Sequence, residues 1–299
     1  MGVLRSSLVL TAAAVVAAGS AVLAAGATAT TAAVGGGAVR PAAHRPPARF
    51  LTEARDSLVS YLRDNHPQVE LVHPGLAHSS PAGTSAAASY NWSGYADSAA
   101  TKGTFTRVSG QWITPKVTCT SEDTITSEWV GIDGWSDATV EQDGTLGWCF
   151  EGRATYYTWY EMYPAGTVTV GASLLPGDKI TATVSRSGTA YKLALSDLTR
   201  PADSFVKTAA CALTTCLDTS AEWVAERPAF SIGVAPLADY ASWKLSGGAE
   251  TASGKAGTIS SFATNYRTNM VDATDHYQLS SASALTGGSS FVTTWHNSY

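Results

Sequence analysis

Two glutamates stand four residues apart in S-A-E-W-V-A-E-R-P, residues 220–228, a run that otherwise has the make-up of a buried strand. Carboxyls set into an apolar strand can move protons for a bound substrate. In an extended segment Glu222, Val224 and Glu226 share a face, with the two carboxyls about 13 Å apart at roughly 3.3 Å per residue. That is too far to share a proton, and it exceeds the roughly 5–9.5 Å between the carboxyls of glycosidases. Whichever glutamate is chemical needs a partner from another strand. The plain alternative is that both face solvent or pair with Arg or Lys, the usual fate of a glutamate.

Other chemistries fall away on composition. Beyond residue 88 only His276 and His296 remain, both near the C-terminus, which leaves few ways to assemble a Ser-His-Asp set. We read both as surface residues. No Gly-x-Ser-x-Gly elbow, His-Glu-x-x-His, phosphate-loop or dinucleotide glycine pattern occurs, nor the Asp-Thr-Gly or Asp-Ser-Gly of aspartic proteases. Carboxylates and amides remain. A further carboxylate, Glu161, sits in T-Y-Y-T-W-Y-E-M-Y-P (155–164), where alternation puts Tyr157, Trp159, Glu161 and Tyr163 on one face. Tyr156, Thr158, Tyr160 and Met162 take the other. An aromatic face with a carboxylate set into it is a plausible ligand surface, although core packing explains most such stripes.

The elements that must hold these residues are strands. From about Ser89, runs rich in Thr, Val, Tyr and Trp recur every 10 to 15 residues between Gly, Asp, Ser and Pro, with no long amphipathic helix. This predicts one all-β domain over 89–299, a large antiparallel sandwich of two sheets. Its 13 Lys and Arg against 20 Asp and Glu argue against nucleic acid and suit an acidic, extracellular setting. All four cysteines fall in it, and the even number predicts two disulfides, of which we prefer Cys119–Cys149 and Cys211–Cys216. No spacing supports a metal site, and none implies a cofactor.

The chain before this domain differs. Arg5, an apolar run from about Leu8 to Leu23 and a small-residue exit at Ala27-Thr28-Ala29 have the form of a secretory signal peptide, residues 1–29. Residues 30–88 combine a Pro- and Arg-rich start, a helical stripe (Phe50, Leu51, Ala54, Leu58, Tyr61, Leu62) and the linker-like S-S-P-A-G-T-S-A-A-A-S. They read as a small helical propeptide and linker. His44, His66, His73 and His78 would make it strongly cationic in acid.

N-W-S-G-Y-A (91–96), S-E-W-V-G-I-D-G-W (127–135), E-Q-D-G (141–144), W-Y-E-M-Y-P (159–164) and A-E-W-V-A-E-R-P (221–228), in this order, resemble the glutamic peptidases, the eqolisin family. The likeness spans most of 89–230 and loosens beyond. It implies a secreted, pepstatin-insensitive acid endopeptidase, a monomer acting on proteins or peptides, with a catalytic Gln and Glu on one concave sheet face. By motif position these are Gln142 and Glu226, with Glu222 the non-catalytic first acid. Trp92, Trp129, Asp133, Glu161 and Tyr163 fall where residues should line or buttress the cleft. Two features depart from the pattern. Asp143 replaces the usual Thr and Glu141 precedes the glutamine, so the field around Gln142 is expected to be unusually negative. Arg227-Pro228 replaces an acidic-aromatic pair and reads as a strand terminator.

With that pair, Glu226 would take a proton from water while Gln142 stabilises the oxyanion. The competing reading is a carbohydrate-active sandwich, either a sugar-binding module or a glycoside hydrolase using Glu161 with Glu226. Asn91, in a sequon-like N-W-S, is a glycan acceptor only in a host with that machinery. The propeptide is expected to cover the acidic cleft as an intramolecular inhibitor and to let go as cleft carboxylates lose charge in acid. Precursor should therefore convert faster at about pH 3.5 than at about pH 7 in a gel time course, and equal rates would contradict the electrostatic release.

Overall fold

The computed structural model describes residues 84–299 apart from 172, 231–232, 263, 273 and 275–276. The signal peptide, most of the propeptide and His276 lie outside the described residues. The chain enters with β1 (Thr84–Ser89), β2 (Trp92–Ser98) and β3 (Phe105–Ile113). A meander of long strands follows, β4 (Thr124–Ile132), β5 (Val140–Phe150) and β6 (Arg153–Tyr163), closed by the short β7 (Val168–Thr169). Next come β8 (Lys179–Ser187), β9 (Ala190–Asp197), β10 (Phe205–Ala210) and β11 (Ser220–Glu226). The remainder is β12 (Ala229–Phe230), β13 (Gly233–Val234), β14 (Ser242–Ala252), β15 (Lys255–Thr258), β16 (Asn265–Val271), β17 (Gln278–Ala282) and β18 (Phe291–Trp295). Among the described residues the helical pieces are two single 3-10 turns, Pro201–Asp203 and Ile259–Ser261. The all-β expectation is borne out.

The strands form two layers that share one strand. The first runs β18-β17-β16-β2-β11-β4-β5-β6-β7, the second β10-β9-β8-β3. β14 belongs to both: Ser242–Leu245 pairs with β18, and Ser246–Ala252 pairs with β3. The register shifts between Ser246 and Ala249, where Gly247 adopts φ +61°, a conformation open to glycine at little cost.

Strand alternation divides the first layer into two faces. The inner face puts Tyr95, Val130, Tyr156, Met162 and Trp223 against Val108, Ile180, Leu193 and Leu195 of the second layer, all in one buried cluster. The outer face carries a separate cluster that includes Trp92, Trp129, Trp148, Tyr157, Trp159 and Tyr163. The two expected faces of 155–164 are thus both largely buried. Cys119–Cys149 and Cys211–Cys216 are both formed, and no cysteine is free.

Residues 84–88 depart from the linker expected there. They extend as β1 and pair in parallel with β16, from Thr84 opposite Asn265 to Ser89 opposite Met270. Small residues suit a linker, but an open edge on β16 offers backbone hydrogen bonds that composition alone does not reveal.

Several carboxyls are buried on the inner face. Burial pushes Glu128 up to about 8 and Glu141 up to about 10. It also raises Asp97, on β2, and Glu250, on β14, which interact with each other between the layers. Asn265 Nδ2 donates to Asp97 Oδ1 at 2.6 Å, so Asp97 is the acceptor and Glu250 the neutral partner. Groups that hold protons more tightly when folded leave stability full below their unfolded values and erode it as pH rises from there toward their folded values. Glu250→Gln keeps a neutral donor beside Asp97. It should lose less of its thermal midpoint between about pH 5 and about pH 8 than the wild type, read by circular dichroism; equal losses would contradict the role of this pair.

Candidate active site

The site is set by how β11, β4, β5 and β6 register. Glu226 pairs with Ser127 and Trp92, Val224 with Trp129, and Glu222 with Gly131 and Ala96. Gly131 in turn pairs with Gln142, and Gln142 with Glu161. Since directly paired residues share a face, Glu222, Glu226, Trp129, Gln142, Glu161, Tyr163 and Trp92 all project from the outer face. Gln142 and Glu226 sit two strands across and four residues along from each other. The two retain 3% and 5% exposure.

Trp129 spans the space between them. Its indole Nε1 donates to Glu226 Oε2 at 2.7 Å. Its far edge lies over Gly131, where a Cβ would stand 2.9 Å from Trp129 Cζ3 and 3.3 Å from Gln142 Cβ. Glycine there is a matter of space: a side chain would push the ring off the carboxyl it holds. Trp92 meets Trp129 edge-on, with ring centroids 4.9 Å apart.

On the other side Gln142 Nε2 donates to Glu161 Oε2 at 2.6 Å, and Thr167 Oγ1 donates to Glu161 Oε1 at 2.9 Å. The first bond identifies the amide nitrogen as the end facing Glu161. Burial pushes Glu161 up to about 8; the Thr167 bond draws it back, and the charge of Glu226 pushes it further up. That last influence means the carboxyl holding Gln142 and the carboxyl held by Trp129 lie within electrostatic reach. Burial also raises Glu226, to about 7, with the Trp129 and Asn91 donors pulling it back. The desolvation comes from burial of both strand faces, which alternation does not reveal. Glu222 is fully buried and held well above the usual carboxylate range by desolvation, so in acid it is neutral.

The expected negative field around Gln142 is corrected by the same alternation. Glu141 and Asp143 point to the inner face, away from Gln142. Desolvation keeps both neutral, Glu141 at about 10 and Asp143 well above its usual range. Glu141 Oε1 lies 2.9 Å from Cys216 Sγ, a disulfide sulfur that can only accept, so the carboxyl donates. With Cys211 these three form a metal-like grouping among the described residues, but both sulfurs are consumed in the disulfide.

Asp133 has a buttressing role. It adopts φ +66°, and its carboxylate accepts the backbone N–H groups of Leu217, Asp218 and Thr219 at 2.9, 2.7 and 2.7 Å. It thereby fixes the approach to β11. Sequence reasoning missed two groups. Thr167 holds Glu161, and Asn91, noticed only for its sequon, is fully buried with Nδ2 3.4 Å from Glu226 Oε1. No glycan fits on Asn91 in this fold. The signal for Asn91 was its place beside Trp92, read for the tryptophan alone.

The fold and its site residues can be set beside known proteins. Scytalidoglutamic peptidase, solved with a peptide-based transition-state analogue, superposes with TM-score 0.58 at 22% identity over 69% of this chain and 98% of that one. SCP-B, an eqolisin solved with the tripeptide Ala-Ile-His, gives 0.56 at 21% identity over 69% and 98%. Aspergilloglutamic peptidase from Aspergillus niger gives 0.50 at 25% over 58% and 99%. No curated protein matches the sequence. The profile of the Peptidase A4 family matches residues 90–295, a span that holds every site residue named above and displaces the carbohydrate reading. On that match the chain belongs to the Peptidase A4 family, and it is a peptide hydrolase of the glutamic type.

Proposed function

We propose that this protein is a secreted, acid-acting endopeptidase in which Glu226 activates a water molecule and Gln142 stabilises the oxyanion. The observation that carries the reading is the shared outer face, with a carboxyl and an amide each oriented by its own hydrogen-bond partner, Trp129 and Glu161.

Ionised Glu226 takes a proton from the water as its oxygen attacks the peptide carbonyl. The resulting neutral acid then gives that proton to the departing amine. Gln142 donates from Nε2 without titrating, so its role does not change with pH. One hydrogen goes to Glu161, and the other is left for the carbonyl oxygen as it gains charge. A well-placed donor of this kind accounts for about 10²–10³ in rate.

The pH sense follows from the neighbours. Burial holds Glu226 near 7, and a catalytic water donating to it adds a hydrogen bond to the charged form, which lowers that value. Glu161, raised to about 8, must stay neutral beside Gln142; its ionisation would add a second charge next to Glu226. Activity therefore belongs to the acid side and disappears as Glu161 loses its proton. Secretion rests on the N-terminal pattern, and a monomer with its own propeptide as inhibitor completes the reading. Two further outer-face aromatics, Trp92 and Tyr163, serve as substrate contacts beside Trp129.

A casein digest across about pH 2–8, with and without pepstatin, should show pepstatin-insensitive cleavage below about pH 7 that falls away as pH rises toward about 8. A maximum at or above pH 8 would contradict the acid assignment. Gln142→Ala should lose at least about 10²-fold in kcat/KM and Glu226→Gln nearly all activity, each with an unchanged circular dichroism spectrum. Near-full activity in either folded variant would contradict the pair.

A further inference from the structure

The turn between β1 and β2 grips the end of β11 at three points. Asn91 Nδ2 faces Glu226 Oε1 at 3.4 Å. One residue on, the Arg227 backbone N–H donates to Asn91 O at 3.0 Å, and Arg227 Nε donates to Tyr90 O at 2.6 Å. The turn itself is tied by Ser89. Its hydroxyl donates to Asn91 Oδ1 at 2.9 Å and accepts the backbone N–H groups of Asn91 and Trp92 at 3.2 and 3.1 Å. Because Ser89 donates to Oδ1, the Asn91 amide has one orientation, with its N–H group toward Glu226. Arg227, a departure from the family pattern, is only 7% exposed, so it is a buried part of the turn and more than a strand terminator.

We propose that Ser89, Asn91 and Arg227 form a clamp that positions Glu226, and that β1 is therefore a working part of the mature enzyme whose Ser89 end must survive N-terminal processing. The inference deepens the reading of Glu226 as the general base and rests on it. Trp129 holds one carboxylate oxygen and Asn91 the other, so two donors, one from β4 and one from the β1–β2 turn, fix its plane and favour its charged form. Asn91 and Arg227 touch no substrate in this scheme; they are positioning residues. Loss of the Asn91 donor removes a pull toward ionisation, so the Glu226 carboxyl should titrate higher.

The test titrates Glu226 by carboxyl-carbon NMR on the full chain, in wild type, Asn91→Ala and the milder Ser89→Ala, with Glu226→Gln to identify the signal. Peptide-cleavage kinetics and N-terminal sequencing of the active form run beside it. Asn91→Ala should move the titration up by about one pH unit and cut kcat about tenfold with KM within about twofold, and Ser89→Ala should do the same to a lesser degree. Arg227→Lys, which keeps the charge and loses the planar fork, should lower kcat in the same sense. Active enzyme should begin at or before Ser89. An unmoved titration in folded Asn91→Ala, or active enzyme that begins after Ser89, would overturn the clamp. A shifted titration in a wild type that cleaves no peptide would uphold the clamp and sink the peptidase mechanism instead.

Discussion

The register of four adjacent strands, β11-β4-β5-β6, is the constraint on which everything else depends. Pairing of Glu222 with Gly131, Gly131 with Gln142 and Gln142 with Glu161, with Glu226 on the Glu222 face of β11, puts an amide and three carboxyls on one face. Side chains repeat every two residues, so a slip of one residue between β4 and β5 would turn Gln142 into the core and carry Asp143 to the outer face in its place. What holds the register is packing on both sides of the same strands. Tyr156, Met162 and Trp223 anchor the inner face while Trp129, Tyr157 and Trp159 anchor the outer one. A sheet buried on both faces has no alternative register that keeps these rings out of water.

That burial has an electrostatic consequence. Carboxyls in a desolvated sheet resist ionisation, and here the effect raises Glu128, Glu161 and Glu226 together. Such a molecule suits acid, where Glu128 and Glu161 are neutral hydrogen-bond donors and acceptors instead of uncompensated charges. The same condition that lets the sheet stay folded also keeps Glu161 neutral beside Gln142. Stability and catalysis thus share one pH dependence, with Glu226 distinguished by the donors gathered around it: Trp129 and Asn91 favour its charge, whereas Asp143 inside the sandwich has no comparable support.

Much of this was legible in the sequence, for identifiable reasons. Period-two alternation in 155–164 gave both faces of β6, and the even cysteine count with the short Cys211–Cys216 spacing led to the pairing seen. The family motifs named Gln142 and Glu226 although 84 positions separate them in the chain. Less legible were features that depend on neighbours across the sheet. The direction of Glu141 and Asp143 follows from alternation about Gln142, but their neutrality follows from the second layer above them. β1 was hidden because Thr-Ser-Ala-Ala-Ala-Ser has the composition of a linker and becomes a strand only where β16 offers an edge. Asn91 was overlooked for a related reason: its meaning lies in Glu226, which reaches it through the pairing of β2 with β11.

The central claim is that Gln142 and Glu226 act on one peptide bond. It is tested most directly by a crystal structure of the mature enzyme, in acid, with a peptide analogue of the tetrahedral intermediate. The account predicts one tetrahedral oxygen within about 2.7–3.1 Å of Gln142 Nε2 and the other at hydrogen-bond distance from the Glu226 carboxyl. An analogue bound with its tetrahedral centre away from both side chains, or lying across the second layer, would contradict it.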